Sequence, residues 1–116
     1  MTGEEAMEQL NTVLAHAWMV RTFLKHSEEI RDDAEMLEVH RMIFDSCRAV
    51  EPAYERKDSK DYLHRIKGKL PKLRKQAEFF AANYRRITDH TNFQMAAASL
   101  TGCVGEIEQI VAAIKS

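Results

Sequence analysis

Proline and glycine are scarce in this sequence, two and four residues among 116, against average usages of roughly 5% and 7%. A protein of strands and tight turns needs turn residues at every reversal. That class is excluded, and long helices joined by a few short loops are implied. Long hydrophobic runs are missing as well. No apolar stretch approaches the roughly 18–20 residues that cross a bilayer, so no membrane insertion is expected. The opening residues MTGEEAMEQL are acidic and lack the basic n-region of a secretory signal. A cytoplasmic location follows as the expectation, with Cys47 and Cys103 reduced. Thiols this far apart in sequence make neither a zinc cluster nor a redox pair. Both fall on apolar helical faces, where a thiol serves as a small hydrophobe.

What is present supports a packed core. The chain is 45% hydrophobic and 30% charged, and its length fits one domain over residues 1–116. Four segments carry helical periodicity. In the first, about Thr2 to Glu29, Met7, Leu10, Leu14, Ala17 and Leu24 share a face that Val13, Val20 and Phe23 widen. A stripe this broad implies covering on more than one side, by the bundle or by a second subunit. The second repeats as Met36, His40, Ile43, Cys47 and Val50 after a capping signal at Asp32-Asp33, with Pro52 expected to bend or end it near Val50. The third keeps phase from Tyr62 through Ile66, Leu73, Ala77 and Phe80 to Ile87, with Asp58 or Ser59 as its cap. Pro71 inside it predicts a kink or a break, and the surviving phase favours the kink. After a capping-rich connection, Thr88 to Asn92, the fourth runs Phe93, Ala97, Leu100, Val104, Ile107, Val111 and Ile114. The expected fold is an all-α, four-helix bundle, antiparallel and up-down-up-down.

Each helical glycine costs roughly 1 kcal/mol relative to alanine. Gly102 and Gly105, three positions apart in the fourth segment, therefore predict a close approach of another helix. Net charge is −1, yet residues 1–61 carry a balance of −6 and residues 62–116 a balance of +5. Acidic helices lying beside basic ones account for this, and an anionic partner is the alternative. The basic run Arg65, Lys67, Lys69, Lys72, Arg74 and Lys75 is the candidate anion-binding surface. Interleaved aromatics and a recognisable module are missing from it, so nucleic acid is not the expected partner.

Five histidines in a helical bundle raise the question of a metal. Carboxylate-bridged di-metal bundles use Glu-x-x-His pairs, and neither that spacing nor His-x-x-x-His occurs. No metal and no cofactor is expected. His40, on the seam between Met36 and Ile43, reads as a neutral histidine satisfied by hydrogen bonds. His16 also borders the apolar face of the first segment, and a His16–His40 contact across the bundle is a possibility. No nucleophile-and-base signature, phosphate loop or paired catalytic carboxylates appear.

One stretch matches a chemical motif. His64-Arg65-Ile66-Lys67-Gly68 resembles the H-x-x-K-G core of histidine phosphotransfer domains, which are four-helix bundles of similar length. The resemblance implies that His64 accepts a phosphoryl group from a receiver aspartate. It also implies that Lys67 stabilises the phosphate and Gly68 leaves clearance for the docking partner. The family's second glycine falls at Arg74 here, and its histidine helix has no counterpart to Pro71. The leading expectation is a non-enzymatic bundle acting through protein contacts, including self-association as a homodimer. It rests on the broad apolar face of the first helix and the small-residue face of the fourth. Phosphotransfer through His64 is the alternative, and a ligand- or metal-binding bundle comes third.

Overall fold

The structure, a computed structural model, describes residues 1–114. Four helices form: α1 (Gly3–Lys25), α2 (Ala34–Glu55), α3 (Ser59–Asn83) and α4 (Thr91–Ala113). Short 3-10 turns at Glu28–Ile30 and Tyr84–Arg86 lead into the connections after α1 and α3. Each helix starts on a side-chain cap, worth about 1 kcal/mol apiece at Ser, Thr, Asn or Asp positions. Thr2 and Glu5 form a reciprocal capping box on α1, with Oγ1 of Thr2 accepting from the Glu5 amide at 3.1 Å. Asp33 accepts from the Met36 amide and Asp58 from the Asp61 amide. His90 opens α4, its Nδ1 accepting from the Asn92 amide at 3.0 Å.

The helices form a ring in which α1 packs on α2 and α4, and α3 packs on the same two. Ties between opposite helix ends make the neighbours antiparallel. Glu8 near the start of α1 accepts from the Tyr54 hydroxyl near the end of α2 at 2.6 Å. Asp33 before α2 pairs with Arg86 beyond α3 at 2.6 Å, which holds the Asp33 carboxyl below the usual carboxylate range. The bundle is an all-α four-helix bundle, as the periodicity implies. Its interior is lined largely by the predicted stripes, with Leu10, Leu24, Ile43, Tyr62, Ile66, Phe80 and Leu100 fully buried, but on α2 Val39, Ser46 and Ala53 take core positions while His40 and Cys47 are only half-buried. An aromatic cluster closes one end: Phe93 sits 5.3 Å from Phe23 and 6.4 Å from Phe80 between ring centroids.

Both prolines lie inside helices. Pro71 is exposed and α3 runs through it unbroken, so of the two outcomes expected there the single helix forms. Ile66 before it and Leu73 after it bury against the same core, and breaking the helix would forfeit one of those contacts. Pro52, expected to bend or end α2 near Val50, does not end it. It too faces solvent, and the helix continues to Glu55.

The end of α2 is a Schellman turn, in which the Asp58 amide donates to Ala53 O and the Lys57 amide to Tyr54 O. Lys57 occupies the left-handed position of that turn at φ 54°, a conformation that costs an L side chain roughly 1–2 kcal/mol. Lys57→Gly is expected to stabilise the fold by about 0.5–1 kcal/mol, the unfolded-state freedom of glycine offsetting part of the relief. The exposed Lys57–Glu8 pair subtracts little. A denaturation midpoint that falls instead would show that the Lys57 ammonium, 3.8 Å from the Tyr54 ring, outweighs the backbone term.

Candidate functional site

Two surfaces stand out, on opposite grounds. The first is the outer face of α3, where a turn of 3.6 residues places His64, Lys67, Gly68, Pro71, Lys72 and Lys75 along one side of the helix. All six are exposed. A Cβ built on Gly68 meets nothing within 4 Å, so the surface beside His64 is open. Among the described residues, Lys67, Lys69, Lys72 and Lys75 take part in no ion pair. The other two members of the basic run are neutralised: Arg65 pairs with Asp61 at 3.1 Å and Arg74 with Glu108 on α4 at 2.9 Å. Acidic side chains of the first half answer basic ones of the second at Arg65 and Arg86, but not along this lysine stripe.

The second surface is the groove between α1 and α4, and what marks it is missing charge. From Gln9 to Val20 the exposed residues of α1 are Gln9, Thr12, Ala15, His16 and Met19; from Thr91 to Gly105 eight more positions of α4 are exposed, and none of the thirteen is Asp, Glu, Lys or Arg. On α2, by contrast, seven of the nine exposed residues are charged. Met19 and Met95 are 64% and 60% exposed, the only large apolar side chains standing out from the described helices. They line one groove with His16, Phe23, Asn92 and Ser99. Deeper in the same contact the Cys103 thiol donates to Val13 O at 3.7 Å, which sets the antiparallel register of the two helices.

The close packing expected at Gly102 and Gly105 is not made among the described residues. Gly102 is exposed, Gly105 half-buried, and a Cβ on either meets nothing within 4 Å. Helical spacing identifies which residues share a face, but α4 turns this part of its small-residue face outward.

A further cluster was not anticipated from sequence. The Arg21 guanidinium lies 4.4 Å from the Trp18 ring and 4.9 Å from Phe44, and Arg48 flanks the same two rings. Such stacking stabilises a cation by about 0.5–2 kcal/mol. It comes with a cost, because Nε of Arg21 is buried without a hydrogen-bond partner. Beside this cluster an open groove of about 290 Å³ between α1 and α2 is lined by Trp18, Cys47, Val50 and Tyr54. Burial pushes the Cys47 thiol up to about 11 and raises Cys103 as well, so both are protonated at neutral pH and lack thiolate reactivity.

His40 is half-buried. Burial, aided by Arg41, Arg21 and Lys25, holds its pKa below the ordinary imidazole value, which keeps it neutral at pH 7. His16 lines the α4 groove rather than facing His40 on α2. Among the described residues no three His, Cys, Asp or Glu side chains gather as a metal-binding set. No described helix is long and apolar enough to cross a membrane. No family model matches this chain, and neither a curated protein nor a solved structure shows significant similarity to it.

Proposed function

We propose that this protein is a non-enzymatic helical bundle that acts through protein contacts made on its α1/α4 face. One observation carries the reading: thirteen exposed positions of two adjacent helices without a charged residue, in a chain that is 30% charged. Depletion of charge is the compositional mark of an interface centre. Two exposed methionines at that centre fit the same role, since an unbranched thioether adapts to a partner surface. Capture experiments with the full chain as bait test this. Proteins retained by the wild type, its own copies included, should be lost when Ala98 and Gly102 are changed to Glu. They should persist when the already charged Asp45 on α2 is changed to Lys. Equal retention by both variants would sink the proposal.

The α3 stripe favours a second reading, phosphotransfer through His64. In that step a ring nitrogen of His64 attacks phosphorus and the P–O bond to the donor carboxylate breaks. The imidazole then releases its proton to solvent. Lys67, one turn along and in no ion pair among the described residues, would hold the phosphoryl oxygens, and the open side of Gly68 would admit the donor. Exposure of His64, Lys67 and Gly68 on one face supports the reading. Incubation with phosphoramidate should add one acid-labile phosphoryl mass to the wild type and none to His64→Gln. An unmodified wild type, or a modified variant, ends it.

A further inference from the structure

The α1/α4 face is built to receive a second copy of itself. Resting on the protein-contact reading above, we infer that two chains pair through this face about a two-fold axis passing between His16 and Ser99. A two-fold interface must carry both halves of every contact on one patch, and this patch does. Met19 and Met95 project side by side. Thr12 lies seven residues before Met19 and Gly102 seven residues after Met95, each about 10 Å along its helix. Because α1 and α4 are antiparallel, with Val13 against Cys103, the Thr12/Gly102 position lies on the opposite side of the His16/Ser99 midpoint from the methionine pair. Rotation about that midpoint lays the two methionines of one copy over Thr12 and Gly102 of the other, where no side chain rises above the glycine backbone. The outward glycine, unexplained inside the monomer, then has a function.

Charge and size agree with that placement. On a two-fold axis any charged residue meets its own like charge, and the residues lining the groove at the axis, among them His16, Met19, Met95 and Ser99, include no Asp, Glu, Lys or Arg. Charges return toward the ends. Glu5, Glu8 and Glu106 lie at one end of the face, and Lys25, Glu29 and Asp89 at the other. The bundle measures 41 × 23 × 19 Å, so one side offers roughly 800 Å², the area each partner buries in an interface of standard size. An uncharged centre with a charged rim is the anatomy of such interfaces.

Native mass spectrometry and equilibrium sedimentation of the full chain test the inference. The wild type should be a dimer. Ser99→Asp and Ser99→Arg, each on an exposed helical position, should be folded monomers by circular dichroism, because like charges meet across the axis. Mixing the two variants should restore a heterodimer. Met19→Ala, which removes a knob and adds no charge, should weaken the dimer at least tenfold. A wild-type monomer at the highest soluble concentration, or a dimer that both Ser99 variants retain, overturns the inference. A wild-type monomer whose captured partners are still lost on the Ala98 and Gly102 changes would refute self-pairing alone and leave the contact reading standing.

Discussion

Phe80→Ala is expected to destabilise the bundle by about 3–5 kcal/mol, the range for emptying a buried aromatic site. Phe80 has no exposed surface and touches the two aromatic groups that close this end of the core, Phe93 at 6.4 Å and Tyr84 at 6.0 Å between centroids. Phe93 in turn meets Phe23 edge-on at 5.3 Å, so the ring of Phe80 ties α3 to α4 and, through Phe93, to α1. Its removal loses the transfer free energy of the side chain. It also leaves a cavity that three helices must collapse together to fill, and rigid neighbours collapse poorly. A domain of this size has about 5–15 kcal/mol in total, so the variant should sit near the edge of folding at 37 °C. Urea denaturation followed by circular dichroism measures the effect. A loss below about 1.5 kcal/mol, the cost of a well-tolerated volume-conserving swap, would mean that the aromatic end is not packed as described.

Gly102→Ala and Gly105→Ala should act in the opposite direction on the fold. Each glycine sits inside α4 with open space where a Cβ would go. Alanine therefore removes unfolded-state freedom and supplies helix propensity without a clash. Each change should stabilise the chain by about 0.5–1 kcal/mol. For a domain of roughly this size that is an increase in Tm of several degrees per kcal/mol. The same methyl at residue 102 enters the space assigned to a partner's methionine, so Gly102→Ala should weaken self-association while strengthening the monomer. Residue 105 lies farther from the axis and should affect stability alone. If both variants lose stability, an unmade contact at the glycines must be replaced by one that matters within the monomer. If Gly102→Ala leaves association untouched, the knob-and-hole register is wrong.

Much of the architecture is legible in the residues because helix formation answers to local rules. Thr2 with Glu5, Asp33 and Asp58 cap the helices where short polar side chains precede apolar periodicity. The buried stripes are the ones spaced by three and four. Pro52 is where local reasoning overreaches. At Pro52 and Pro71 a missing amide counts against the helix, yet burial of Ala53 and Leu73 just beyond outweighs one lost backbone bond. The candidate sites divide in the same way. The α3 stripe could be read directly, since His64, Lys67 and Gly68 lie within two turns and helical spacing puts them on one side. The α1/α4 face joins residues some eighty positions apart. The small residues of α4 were visible, but nothing in their spacing told whether they pointed inward or out.

Helical segments, their caps and the faces that must be buried were determined by the sequence itself, because hydrogen bonding within four residues and a 3.6-residue period are properties of the local chain. The tertiary structure alone decided which helices became neighbours and which part of each surface was left over. It set α1 against α4, turned Gly102 outward on the face that carries Met19 and Met95, and left the lysines of α3 without acidic partners among the described residues. Those outcomes depend on how four amphipathic stripes share one core, a choice made by the summed burial of distant side chains that no single segment encodes.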